Sequence, residues 1–132
     1  MPGWQNRLKT PFTPRADGFK FERVAEKFLR KKGLQLVVRN YSCRGGEIDL
    51  IMREQDILVF VEVRYRKSDH YGSAAESITF NKQRKIIHCA QVYLQANPAC
   101  QANPLRFDVV AIRGESDQLS GLAIDWHQNA FC

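Results

Sequence analysis

Apolar and polar residues follow one another along this chain in an order that predicts two helices and four or five strands. Residues 21–29 carry apolar side chains at every third or fourth position, which predicts an amphipathic helix that Asp17 caps and Gly33 ends. A second helix is predicted from residue 79 or 80 to residue 96 on similar spacing. β-Branched runs predict strands at 34–39, 46–52, 57–65, 105–112 and 122–126.

The element order α-β-β-β-α-β, with a last short strand, predicts the α/β class, with a mixed sheet that helices cover. Residues 1–16 contain three prolines and little periodicity, and we expect a flexible basic N-terminal arm there. Residues 17–132 have the length of a single domain. Loops are expected at 40–46 and at 66–78, the second beside the site described below.

The positive charge of the chain is concentrated in its first third. The formal net charge is +6, and residues 1–44 hold eleven Lys or Arg against three acids, whereas the remainder holds nine against eleven. This asymmetry favours a polyanionic partner, of which nucleic acid is the commonest, although solvated lysines that maintain solubility are the simpler alternative. No apolar run approaches the roughly 18 residues of a membrane span. The N-terminus lacks the apolar core of a signal peptide, so a cytoplasmic location is the default expectation.

Two neighbouring strands carry acidic residues inside apolar runs, Gly46–Ile51 and Val59–Arg64. A carboxylate in such a run costs several kcal/mol to desolvate unless a cation or hydrogen-bond donors compensate it. A hairpin that turns at residues 53–56 would place Asp49 opposite residues 60–62, close to Glu62. Converging carboxylates of this kind suit Mg²⁺ or Mn²⁺, and with the metal the hydrolysis of phosphodiesters.

Structural roles compete with this hypothesis for several acids. We expect Glu47 to lie on the solvent side of its strand, alternating with its apolar neighbours. Asp108 is expected to form a structural ion pair with Arg106 or to cap a strand end. Asp49 and Glu62 could instead form cross-strand salt bridges with two nearby arginines, Arg64 and Arg66.

The chain resembles the bacterial YraN-type family over residues 15–127. The motifs that carry the resemblance are Gly18-x₃-Glu22-x₂-Ala25-x₂-Phe28-Leu29, Gly33, Asn40, Gly46–Ile51, Val59–Arg64, Arg66, Lys82, Ala90-x₂-Tyr93-Leu94 and Arg106–Val110. That family is similar to the restriction-endonuclease-like PD-(D/E)xK superfamily, and in particular to archaeal Holliday-junction resolvases. The resemblance implies a three-layer α/β/α core and metal-dependent cleavage of DNA.

Carried over residue by residue, the resemblance implies a catalytic set. Glu22 matches the acid of the opening helix, and Asp49 and Glu62 match the two motif acids that hold the metal. Arg64 occupies the position of the superfamily's lysine and cannot serve as a base, because arginine stays protonated. Lys82 matches a basic position on the following helix and could supply the ammonium instead.

Three functions follow as hypotheses. The first is a Mg²⁺- or Mn²⁺-dependent endonuclease that recognises branched or damaged DNA by its structure, for which a homodimer would suit paired incisions. The second is a non-cleaving nucleic-acid-binding or accessory protein, and a protein-interaction module is a third. No membrane partner is expected. The residues predicted to contact phosphates are Arg30, Lys31, Lys32, Arg44, Arg66, Lys82 and Lys85.

Overall fold

The computed structural model describes residues 13–67, 78–115 and 119–132. It contains two α-helices, five β-strands and two short 3₁₀ turns in these ranges. Their bounds are α1 Thr13–Lys31, β1 Gln35–Cys43, β2 Gly46–Glu54, β3 Ile57–Arg66, α2 Phe80–Ala96, β4 Leu105–Arg113 and β5 Ala123–Phe131, with the 3₁₀ turns at Pro98–Cys100 and Leu119–Gly121. No helix in the described ranges is both long and apolar enough to cross a membrane.

The five strands form one mixed sheet in the order β1-β2-β3-β4-β5. β1, β2 and β3 are joined by tight turns and pair antiparallel. The chain then crosses over through α2, so that β4 pairs parallel with β3. β5 returns antiparallel along β4, and β1 is left as an edge strand.

Alternating strand residues supply two separate cores, one on each face of the sheet. Val59 and Val61 pack in the core that α1 covers with Phe21, Ala25 and Leu29. Phe60, the residue between them, faces the other side and packs under α2, whose contributions include Ile86 and Tyr93. The expected three-layer α/β/α arrangement with a mixed central sheet is therefore confirmed.

Several predicted boundaries need correction. α1 begins at Thr13, so Asp17 lies inside the helix and does not cap it. β1 continues to Cys43 and leaves a turn where a loop over 40–46 was expected, and β5 reaches Phe131. Residues 1–12 of the predicted arm and residues 68–77 of the predicted loop lie outside the described residues. The start of α2 is confirmed, since the Thr79 hydroxyl caps it by accepting from the Lys82 amide at 3.1 Å.

Candidate functional site

A break in the alternation of side chains along β2 positions Asp49. Ile48 and Ile51 both pack in the core under α2, although three positions separate them, and Leu50 packs under α1. Asp49 and Leu50 therefore both lie towards the α1 side. Asn40, the residue of β1 beside this break, has φ of 50°, a left-handed backbone that asparagine tolerates better than most residues.

The same break ends the regular ladder between β2 and β3. Their last paired residues on this side are Leu50 and Val61. The Val63 amide then donates at 2.8 Å to Asp49 Oδ2 in place of a backbone carbonyl. Asp49 is thereby fixed where the two strands separate.

Three carboxylates converge at this position. Glu22 of α1 and Glu47 and Asp49 of β2 each offer one oxygen, and these three atoms all lie within 4.8 Å of one another. Asn40 donates its side-chain amide to Glu22 Oε1 and so holds that carboxyl towards β2. Carboxylate oxygens are the ligands that a hard divalent cation prefers, and these three lie close enough to share one, so the residues present fit a metal site.

Glu62 lies beside Asp49 and faces two cations. Its side chain is only 4% exposed. Lys82 Nζ of α2 approaches Glu62 Oε2 at 3.3 Å, and Arg64 Nη1 approaches the same oxygen at 3.7 Å. The structure thus brings together all five residues of the predicted catalytic set, from α1, β2, β3 and α2.

Burial and mutual repulsion raise the pKa values of three acids here, Glu22, Asp49 and Glu62. Burial first, and then the charge of Asp49, raises the pKa of Glu22 to about 8. The same two causes raise the pKa of Glu62 to about 8, against the opposing effect of Lys82. Burial also raises the pKa of Asp49, although the Val63 amide favours its charged form. Near neutral pH the cluster therefore retains protons that a cation could replace.

Two other buried acids are compensated by the chain's own donors. Asp108 is fully buried and accepts from the Arg106 guanidinium, from the Trp126 indole and from the Asn129 amide, with contacts from 2.9 Å. Arg106 also contacts Glu54 at 2.9 Å. The expectation that Asp108 is a structural ion-pair residue is confirmed.

Glu26, one helical turn after Glu22, is compensated in a similar way. Arg39 donates two hydrogen bonds to it, at 2.7 and 3.0 Å, and Arg30 donates a third at 3.1 Å. These bonds lower the pKa of Glu26, with the Arg39 hydrogen bond as the main cause. Glu22 has the opposite pKa shift, because burial and the charge of Asp49 raise its pKa and no cation pairs with it among the described residues.

The predicted phosphate-binding residues are spread over the C-terminal end of α1, the start of α2 and two strand ends. Arg30 and Lys31 end α1 and Lys32 follows it, with Lys31 about 13 Å along the helix axis from Glu22 at ~1.5 Å per residue. Lys82 contacts Glu62, and Lys85 belongs to the same first turns of α2. The remaining two, Arg44 and Arg66, lie at the β1–β2 turn and at the end of β3.

Sequence reasoning misplaced Glu47 and gave no site role to Asn40. Glu47 does not lie apart on a solvent face, since its carboxylate belongs to the converging set, and that expectation was wrong. The available signal was its position two residues before Asp49, which places both side chains on one face of a strand. For Asn40, the signal was a residue that favours left-handed backbone beside a predicted strand.

A five-stranded mixed sheet with one helix on each face and acids on its second and third strands is an α/β fold compatible with a restriction-endonuclease-like core. Comparison with known proteins makes the assignment more specific. The chain belongs to the uncharacterised protein family UPF0102, the YraN family, whose sequence profile matches residues 21–112.

The relatives of this chain are similar along nearly their whole length. A UPF0102 protein of Aeromonas hydrophila is 48% identical, over 97% of this chain and 92% of the relative. A UPF0102 protein of Saccharophagus degradans is 50% identical, over 86% and 91% respectively. One from Vibrio parahaemolyticus is 44% identical, over 90% and 94%. The expected family membership is therefore confirmed.

Proposed function

We propose that this protein is a metal-dependent endonuclease that hydrolyses DNA phosphodiester bonds. The observation that carries the proposal is a contrast among the buried acids. The chain neutralises Asp108 and Glu26 with its own arginines, but it supplies no cation for Glu22 or Asp49 among the described residues. A divalent cation would supply the missing positive charge.

The residues that would hold the cation are Asp49, Glu22 and Glu47, with Glu62 adjacent. Mg²⁺ and Mn²⁺ are the expected ions because every donor in the set is a carboxylate oxygen. When bound, such an ion polarises a phosphoryl oxygen and lowers the pKa of a coordinated water.

The chain's own residues contribute orientation and charge. The Val63 amide fixes Asp49, and Asn40 fixes Glu22. Lys82 lies 3.3 Å from Glu62 and presents an ammonium that can face the negative charge developing on phosphorus. Lys82 thus lies beside Glu62. In the superfamily, the acid at this position is followed by a lysine two residues further along the strand.

A second function is favoured by one residue, Arg64. It occupies the usual lysine position, contacts Glu62 at 3.7 Å and cannot accept a proton. A chain that retained the fold while losing cleavage would keep salt-sensitive DNA binding, because basic residues would still neutralise phosphates. We therefore treat a non-cleaving accessory protein as the alternative.

Cleavage of a panel of labelled DNAs separates these functions. Linear duplex, single strand, flap, fork and four-way junction are incubated with Mg²⁺, Mn²⁺ or EDTA. Wild type is compared with Asp49→Asn and Glu62→Gln, and Asp125→Asn is the matched control, because the Asp125 side chain is 54% exposed in a surface pair with Arg113.

The proposal expects metal-dependent cuts in the wild type and in Asp125→Asn, and none in the two site variants. Cuts that persist in Asp49→Asn, or that appear equally in EDTA, would contradict it. Absence of cuts from every substrate, with salt-sensitive binding retained, would support the accessory protein. In that case Arg64→Lys is the next protein to assay.

A further inference from the structure

A groove runs along the open edge of β1 and shares a wall with the acid cluster, which comprises Glu22, Glu47, Asp49 and Glu62. Its volume is about 590 Å³, within the range of sites that hold small organic groups. The lining residues that matter here come from α1, β1 and α2, and they are Phe19, Glu22, Val37, Asn40, Tyr41 and Tyr93.

The groove is continuous with the candidate metal site through two residues. Glu22 lines the groove and also belongs to the converging carboxylates. Asn40 lines it as well, and donates to Glu22. A group in the groove therefore lies directly beside a group at the acids.

The chemistry of the groove has two parts. Its interior is aromatic and aliphatic, with Tyr41 and Tyr93 packed edge to face at 5.2 Å between ring centroids. Two exposed arginines also line the groove; Arg39 is bonded to Glu26, which lines the groove as well, and Arg23 forms no salt bridge among the described residues. An apolar planar group with an anionic attachment matches this combination, and a nucleotide has that composition.

We propose that the groove binds one unpaired nucleobase adjoining the phosphate at the acid cluster. The substrate class is then DNA with an unstacked nucleotide at the cleavage point, as in single strands, flaps and bulges. A base inside a continuous duplex reaches such a groove only after unpairing, which costs a few kcal/mol. This inference rests on the proposed nuclease function, because it places the scissile phosphate at the acids.

Binding to three DNAs in EDTA tests the groove without cleavage. The DNAs are a continuous duplex, the same duplex with a one-nucleotide bulge, and that bulge with an abasic nucleotide. We expect the bulge with its base to bind about 5- to 150-fold more tightly than the abasic bulge, the range that stacking of one base provides. The duplex should bind more weakly than the bulge.

A matched pair of variants locates the effect. Val37 in the groove and Leu105 at the start of β4 are each 41% exposed, so glutamate is tolerated structurally at both. Val37→Glu introduces a charge where the base would lie, and the affinity ratio between bulge and abasic bulge should fall towards one. Leu105→Glu introduces the same charge outside the groove and should keep the wild-type affinity ratio. General repulsion of DNA by the added charge weakens binding to both bulges equally and therefore leaves the ratio unchanged.

Equal affinity for the two bulges in the wild type would overturn the inference, as would an equal loss of the ratio in both variants. Failure of the nuclease function has a different signature. The affinity ratio would persist and respond to Val37→Glu, while no DNA was cut with Mg²⁺ or Mn²⁺.

Discussion

Stability of the metal-free protein should fall as the pH rises through the window in which the acid cluster titrates. Glu22 and Glu62 have folded-state pKa values of about 8, against ordinary values of 4.5. The folded protein consequently binds these protons more tightly than the unfolded chain does. The stabilisation is complete below pH 4.5 and is lost as the pH rises to about 8.

The size of the stability loss follows from the difference between the folded-state and ordinary pKa values. For one glutamate, a change from 4.5 to about 8 corresponds to roughly 5 kcal/mol, at ~1.4 kcal/mol per pKa unit. This value is a ceiling, because the two glutamates titrate together with Asp49 and their effects do not add. We expect a loss of roughly 2 to 4 kcal/mol between pH 5 and pH 8, a large part of the stability of a small domain.

Urea unfolding followed by circular dichroism, in EDTA at several values from pH 5 to pH 9, measures this loss. At roughly 1–3 kcal/mol per molar urea, the midpoint should fall by about 1–2 M. Glu22→Gln removes one titrating group and should flatten the dependence. Added Mg²⁺ or Mn²⁺ at pH 8 should restore stability, by about 2.7 kcal/mol at a hundredfold excess over its Kd.

Glu26→Gln is the matched control, because Arg39 lowers the pKa of Glu26. Its contribution is present at pH values above the ordinary range of glutamate and is lost only in acid. The variant should therefore be less stable at every pH from 5 to 9 and keep the wild-type slope. Stability that rises or stays level from pH 5 to pH 8 in EDTA would refute the reasoning, and so would a wild-type slope in Glu22→Gln.

Three further predictions address neighbouring features. Asp108→Asn leaves the Arg106 guanidinium poorly compensated and should lower the free energy of unfolding by about 3–5 kcal/mol in urea. The variant should keep the rise in melting temperature that Mn²⁺ causes; loss of that rise would place Asp108 in the metal site. Gly46→Ala brings a Cβ to 3.2 Å from a backbone carbonyl of α2 and should cost about 1–3 kcal/mol, whereas Gly121→Ala, with open space around it, should unfold like the wild type. Arg64→Lys restores a lysine beside the site, and cleavage of the preferred DNA should be at least as fast as in the wild type; a tenfold slower rate would show that the guanidinium itself is required.

Local patterns predicted the parts of this fold that depend on short-range chemistry. The hairpin turn fixes the register of β2 and β3, and the acids of both strands were accordingly expected together. Asp108 was correctly paired with Arg106 because the two lie two residues apart on one strand face. Glu22 was assigned to the site through family resemblance, since no local rule relates it to Asp49, 27 residues later in the chain.

The position of Asp49 depends on a failure of strand alternation, because a regular strand would turn Asp49 and Leu50 to opposite faces. Glu47 keeps regular alternation with Ile48, and the error there was to take the face opposite Ile48 as solvent, whereas α1 brings Glu22 to that face. The left-handed backbone at Asn40 and the side-chain bond from Asp49 to the Val63 amide interrupt that pattern. Neither feature has a signal in hydrophobic periodicity, because both depend on how two strands separate.

Asp49 and Asp108 share a local irregularity of the backbone but differ in how their charge is compensated. A left-handed asparagine and a break in the strand pairing accompany each acid, with Asn40 beside Asp49 and Asn129 beside Asp108. Asp108 accepts from Arg106, from Trp126 and from the Asn129 amide, whereas no cation compensates Asp49 or Glu22 among the described residues. Buried acids without compensation reduce stability. A sheet that compensates a buried acid with its own arginine on β4 does not need an uncompensated one on β2 for folding. The missing positive charge is therefore best explained by what the site binds, and restoring stability with a divalent cation tests this explanation without requiring any DNA to be cut.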